Sequence, residues 1–252
     1  MSLESAKYLN SIISCLTAIE KDEVESIDKA SSLLAEKVAE DRLINVIGPG
    51  GHSNMGVEEV FWRAGGLACV NGILDPGTNL LFGAKRSNVV ERSPGYAKTV
   101  LKSYRLGKGD VLIIVNAYGL NSMCIESALE SREMGIKTIA ITSESFGKNT
   151  PPDAPSRHSN GKNLFDLCDI FINNHLPYGD SVIKVGKTEK MMGPHSTFLN
   201  SFVIDWLMIE TAKKLENMSI EPPVWVSANL PDGDKINKSL EEKYIPRIKH
   251  LL

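Results

Sequence analysis

Along the first forty residues, apolar side chains return every three or four positions; further on they gather into short unbroken runs separated by polar turns. From Leu3 to Ile19, the residues Tyr8, Ile12, Cys15, Leu16 and Ile19 share one stripe, which predicts a helix with a single buried face. Glu23 to Glu40 predicts a second helix, and the pair reads as an antiparallel arm packed on the domain or on a neighbouring subunit. Leu43 to Ile47 is an apolar run ending in glycine, the form of a buried parallel strand. After a glycine-rich turn, Val57, Val60, Phe61 and Ala64 mark the inner face of a helix stopped at Gly65-Gly66, and Leu67 to Val70 predicts a second strand. Gly72 to Glu91 has no strong period and reads as a long loop with room for a short helix.

Ser93-Pro94 supplies a cap and a first-turn proline for a helix reaching Tyr104. Val111 to Val115 is the clearest buried strand in the chain. Asn121 caps a helix that ends at Gly135, Lys137 to Ile141 follows as a strand, and Ser143 to Gly161 follows as a polar loop. Asp169 to Ile172 predicts another strand, with Ser181 to Val185 a further candidate. Ser196 to Leu215 predicts a helix that is apolar nearly all round, either central to the fold or buried in a subunit interface. A helix near Asp234 to Leu251 closes the chain.

Repeated strand–helix alternation predicts an α/β fold, a doubly wound parallel sheet with helices on both faces. The expected organisation is an N-terminal helical arm over residues 1–42, a central domain over 43–215, and a C-terminal tail with a helix over 216–252 that belongs to the same folding unit. In such sheets ligands bind beyond the carboxyl ends of the strands. That rule selects the turn at Gly48 to Gly56, the turn at Asn116 to Ser122, and the loop after Ile141.

Charge and composition narrow the partners. A formal net charge of −3 with mixed signs leaves no footprint for nucleic acid or an anionic membrane surface, so a small molecule or another copy of the chain is expected. Cys15, Cys69, Cys124 and Cys168 lie far apart without metal-ligand spacing, which predicts buried reduced thiols. The first residues include Glu4 and Lys7 and lack the apolar core of a signal peptide, and no apolar run is long enough to span a bilayer. A cytoplasmic location is the expectation. No His, Cys and carboxylate group has the close spacing of a ligand set, so neither a metal nor another cofactor is expected.

Two turns carry the candidate chemistry. Gly48-Pro49-Gly50-Gly51-His52-Ser53 follows a strand and opens a helix, so its backbone can approach an anion. As a dinucleotide fingerprint it is poor, with Ser53 in place of the third glycine and no acidic residue where the second strand is predicted to end, at Val70-Asn71. The second turn, Asn116-Ala117-Tyr118-Gly119-Leu120-Asn121-Ser122, crowds hydrogen-bonding side chains at the end of the best strand and again opens a helix.

The segments Asp110-Val-Leu-Ile-Ile-Val-Asn-Ala-Tyr-Gly119, Ile125-Glu126-Ser-Ala-Leu-Glu130 and Gly135-Ile-Lys-Thr-Ile-Ala-Ile-Thr142-Ser143 together resemble the core of SIS (sugar isomerase) domains, a resemblance that spans Leu43 to Leu215. A closer resemblance, over nearly the whole chain, is to the bacterial UPF0309, phosphoheptose isomerase-like subfamily. It rests on Ser156-Arg157-His158-Ser159-Asn160-Gly161-Lys162, Gly193-Pro194-His195-Ser196-Thr197 and Ser227-Ala228-Asn229-Leu230. The resemblance implies a Rossmann-like, three-layer αβα domain that binds a phosphosugar and assembles as a homo-oligomer, dimer or tetramer. In that family the second turn is usually Ser-x-Ser-Gly-x-Ser/Thr around the phosphate; here Asn116 and Tyr118 stand at the two serine positions. The expected ligand contacts are Gly50, Gly51, Ser53 and Asn54 in the first turn, and Asn116, Tyr118, Gly119, Asn121 and Ser122 in the second. Ser143, Arg157 and His158 join them from the loops after the fourth strand.

Aldose–ketose isomerisation through an enediol needs a base to move a proton between adjacent carbons and an acid to serve the oxygens. The resemblance implies a glutamate and a histidine for these parts. Glu58 and Glu59 lie off the buried stripe of the first-turn helix and are the candidate bases, while His52 and His195 are the candidate acids. His175, with Tyr178 and Asp180, follows a strand and is a weaker candidate. Two further readings stay open: a binding-only phosphosugar sensor, and an amino-sugar phosphate lyase of the etherase kind that would use the same proton abstraction.

Overall fold

The computed structural model describes residues 3–252; residues 1 and 2, where the predicted arm begins, lie outside the described residues. Five parallel strands form the central sheet in the order β2-β1-β3-β4-β5. They are β1 (Ile44–Ile47), β2 (Val70–Ile73), β3 (Val111–Val115), β4 (Lys137–Thr142) and β5 (Ile170–Asn173). β3 lies at the centre, with Ile113 opposite Val46 on one side and Ile139 on the other.

Alternation along the strands feeds two cores. Val111, Ile113 and Val115 join a cluster on one face with residues of α2 (Val24–Ala39), α3 (Asn54–Val60) and α8 (Ser196–Asn217). Leu112 and Ile114 turn to the other face, against Val100 and Leu101 of α5 (Tyr96–Ser103) and Met123, Ile125 and Ala128 of α6 (Ser122–Glu133). A strand buried on both faces is apolar at nearly every position, which is why β3 reads as an unbroken run and β1 is interrupted only by Asn45, whose amide donates to Val111 O at 3.0 Å. The arm is part of this core: Ile19 of α1 (Leu3–Asp22) and Ile27, Ala30 and Leu34 of α2 belong to the first cluster. The α8 helix is central, burying Leu199, Val203, Ile204, Leu207 and Leu215, while Phe198 and Ile209 remain exposed on its outer side.

Several elements differ from the sequence expectation. The second strand starts at Val70, because the tail takes the residues before it: Trp225 N donates to Gly66 O at 2.9 Å, and Leu67 bridges Val224 in antiparallel fashion. Its true end, Ile73, is followed by Leu74 and Asp75, so an acidic residue does follow the strand. The Asp75 carboxylate is already engaged, accepting from Gly77 N and the Tyr96 hydroxyl, both at 2.8 Å. The helix after the first turn stops at Val60, short of Gly65, since Trp62 adopts φ 51° and packs edge-on against Trp225. Residues 72–91 do hold the short helix they had room for, α4 (Ala84–Glu91), and add a 3-10 turn at Leu80–Phe82. Gly95 at φ 85°, and not Ser93, precedes α5, and Ser93 Oγ donates instead to Val89 O. The polar loop after β4 contains α7 (Glu144–Asn149). β6 (Ser181–Lys184) pairs antiparallel with β7 (Met191–Pro194), a hairpin outside the main sheet. The last helix, α9 (Gly233–Tyr244), ends before Pro246, which cannot continue it. No helix among the described residues is long and apolar enough to cross a membrane.

Candidate active site

A cleft of about 430 Å³ opens at the carboxyl ends of β1 and β3, between the two turns singled out by the sequence. Gly50, Gly51, His52 and Ser53 form one side, and Asn116, Tyr118 and Asn121 another. The wall opposite comes from Leu80, Ala84, Ser87, Asn88 and Glu91, and the start of α8 closes it with Ser196, Thr197 and Asn200.

The turns are held to each other by amides. Asn116 Nδ2 and Asn121 Nδ2 both donate to Pro49 O, at 3.3 and 3.1 Å, and Asn116 Nδ2 also reaches Ser53 Oγ at 3.2 Å. Asn116 Oδ1 accepts from Tyr118 N and Gly119 N, at 3.2 and 2.8 Å. Asn121 Oδ1 accepts from Cys124 N, a cap on α6. Polar side chains here thus satisfy the backbone of the two turns and of the helix that follows. Ser53 differs: its oxygen accepts from Asn116, which leaves its hydroxyl proton for a ligand.

Glu91, the last residue of α4, was not anticipated as a site residue. It lines the cleft with its carboxyl beside the first turn, and an ideal Cβ on Gly50 would stand 2.7 Å from its Oε2. Burial raises the carboxyl above the ordinary glutamate range, against the lowering effects of the Arg92 charge and the nearby Gly51 N–H. Asp180 is the second acid in the cleft and is 8% exposed. Its Oδ1 accepts from His195 N and Ser196 N at 2.8 and 2.9 Å, and its Oδ2 accepts from Ser196 Oγ at 3.0 Å. Among the described residues, no lysine or arginine lines the cleft.

The other expected site residues lie elsewhere. Asn54 is buried under the first turn and donates to Gly50 O and Thr78 O at 2.9 and 3.2 Å, so it shapes the turn and does not line the cleft. Gly119 is buried behind Asn116, and Ser122 Oγ donates to Arg92 O at 3.0 Å. Ser143 is fully buried, capping α7 and donating to Leu176 O. Arg157 spends its guanidinium on oxygens of its own loop, including Gly147 O, Thr150 O and Asn163 Oδ1. His158 faces Glu126 at 3.6 Å, away from the cleft.

Of the four candidate acids and bases, His52 alone lines the cleft. His195 is completely buried, with its ring nitrogens 2.9 Å from Gly193 O and from Ser11 Oγ and its ring edge-on to Tyr8. Glu58 is exposed on α3, and Glu59 pairs with Arg63 at 3.0 Å on a different surface. His175 pairs with Glu23 at 3.0 Å.

Comparison with known proteins agrees with this architecture. The family model described as "SIS domain" matches residues 7–143, more than half of the chain. A UPF0309 protein of Caldanaerobacter subterraneus subsp. tengcongensis is 37% identical over 247 residues, covering 97% of this chain and 98% of the relative. A UPF0309 protein of Listeria innocua is 35% identical over 241 residues, 96% of each chain. Among solved structures, the phosphoheptose isomerase of Neisseria gonorrhoeae shares the fold at a TM-score of 0.56 and 16% identity, covering 83% of this chain and 97% of that one. The chain belongs to the SIS domain family and, within it, to the UPF0309 proteins.

Proposed function

We propose that the chain binds a sugar phosphate in the cleft between its two turns and isomerises it, with Glu91 as the group that moves the proton between adjacent carbons. The observation that carries this is the Glu91 carboxyl itself, which lines the cleft beside Gly50 and has its pKa raised by burial. A carboxylate with a raised pKa is a stronger base, closer to the pH at which it must both take and return a proton. His52 lines the same cleft and would serve the oxygens of the enediol as acid. Glu58 and Glu59 do not enter this scheme, because neither borders the cleft. Nor does His195, whose ring is sealed behind the start of α8. Membership in the SIS family supports the phosphosugar as ligand. The Ser53 hydroxyl and His52 are the donors that the first turn offers to its phosphate or hydroxyl groups.

The test is deuterium wash-in. Hexose, heptose and amino-sugar phosphates are incubated with the protein in heavy water and followed by NMR. Exchange at the carbon next to the carbonyl, lost in Glu91→Gln but kept in Glu58→Gln and Glu59→Gln, is the expected result. Exchange that survives Glu91→Gln overturns the role of Glu91. Thermal stabilisation by a phosphosugar with no exchange across the panel leaves a binding protein and sinks the isomerase, and no stabilisation by any of them sinks the phosphosugar itself.

A further inference from the structure

A second concavity, of about 260 Å³, runs along the outer edge of β2, where the end of α5 meets the C-terminal segment. Arg105, Arg247 and Lys249 line it, with Tyr104 and Asn71. None of its lining residues borders the cleft between the turns. No aspartate or glutamate is among its lining residues. Arg247 is anchored by Asp41 at 3.0 Å, which fixes the guanidinium at the rim. Arg105 and Lys249 form no ion pair among the described residues; Arg105 follows α5 at φ 58°, and Lys249 Nζ stands 4.4 Å from the centre of the Tyr104 ring. The floor holds a buried polar group. Asn71 is 4% exposed and donates through Nδ2 to Asn45 Oδ1 at 2.8 Å, but its own Oδ1 has no hydrogen-bond partner.

We propose that this groove is a second ligand site, separate from the cleft, for a small polyanion such as a phosphorylated or polycarboxylate metabolite. Arg105 and Lys249 are free to meet a multiply charged anion, Arg247 stands beside them in its pair with Asp41, and the tyrosine face adds a platform for the ligand's carbon skeleton.

Pyrophosphate and citrate, titrated into the full chain at low salt and followed by amide NMR, test the proposal. The expected shifts fall in residues 71, 103–105 and 245–252, and the affinity weakens steeply with added sodium chloride. The double variant Arg105→Ser, Lys249→Ser should bind about tenfold or more weakly while keeping any response at residues 50–53. Shifts confined to residues 50–53 and 116–122 overturn the proposal, as does a double variant that binds as tightly as the parent. Thermal unfolding of the variant separates lost binding from lost folding, and the single variant Lys249→Ser, on an exposed residue, provides the same readout if the double variant is unstable.

Discussion

The Tyr118 hydroxyl donates to Asp180 Oδ2 at 3.2 Å, while the other oxygen of the same carboxylate caps the backbone where α8 begins. One buried acid thereby fastens the second turn to the central helix. The Tyr118 ring is stacked on Phe146, with centroids 4.0 Å apart, so it forms a fixed wall of the cleft. Burial and the nearby Asp180 charge both raise the Tyr118 pKa, so the phenol keeps its proton and remains a donor.

Removing that carboxylate should therefore destabilise the whole domain. Asp180→Ala leaves His195 N, Ser196 N, Ser196 Oγ and the Tyr118 hydroxyl without their acceptor, and a loss of about 2–4 kcal/mol is expected in urea unfolding. Tyr118→Phe breaks one hydrogen bond and keeps the ring, so it should cost about 1 kcal/mol. A Tyr118→Phe loss equal to that of Asp180→Ala would show that the phenol bond, and not the helix cap, holds the structure.

Gly50→Ala separates folding from chemistry. Gly50 lies outside the left-handed region, so alanine is tolerated by its backbone. The added methyl would stand 2.7 Å from Glu91 Oε2, the end of a flexible side chain, which can swing away at little cost to stability. The carboxylate would leave its place beside the first turn, so proton exchange on substrate should fall at least tenfold while the melting temperature moves by only about 2 °C. Gly48→Ala makes the contrast: its methyl would strike the backbone of Ser53, which cannot yield without unmaking the turn, and loss of the fold is expected in thermal unfolding.

What the sequence disclosed follows from the range over which each feature is determined. The runs of β1, β3 and β4 and the stripe of α1 are set by burial along one element, and they were legible as patterns. Both turns of the cleft were legible because each sits at the end of such a strand. Glu91 was not, since it ends a short helix, Ala-Lys-Arg-Ser-Asn-Val-Val-Glu, with a weak apolar period, and reaches the cleft only because that helix packs across the first turn. Its local signal was slight: one acid closing a helix just ahead of Ser93-Pro94-Gly95. Asparagines and a serine assigned to the ligand prove to serve the backbone, and residue type alone does not distinguish an amide that meets a ligand from one that caps a turn.

The pH dependence of exchange checks the environment of Glu91. Exchange needs the ionised carboxylate, so the rate should rise with pH through the folded-state pKa of Glu91. Because burial raises that pKa, the midpoint should lie above the ordinary glutamate value of about 4.3. A midpoint at or below it, measured at saturating sugar phosphate, would place the base in open solvent.

Asp205 gives a pH signature in stability that is independent of any substrate. It sits on α8 beside the Glu59–Arg63 pair, in a third concavity, of about 390 Å³, apart from both the cleft and the groove at β2. Burial first, and then the Glu59 charge, push its carboxyl up to about 6, with Arg63 opposing. In the unfolded chain the same group titrates near 3.9. Between those values the folded state binds more protons than the unfolded one, so stability from this group is complete below about pH 4 and is lost as the pH rises through about 6. Asp205→Asn removes the charge and keeps the shape. The variant should be more stable than the parent at pH 7.5, by about 1 kcal/mol after allowing for solvent screening of a half-exposed group, and the difference should vanish or reverse at pH 4. Urea unfolding of both proteins across that range decides it: a parallel pair of stability curves would mean that Asp205 titrates normally.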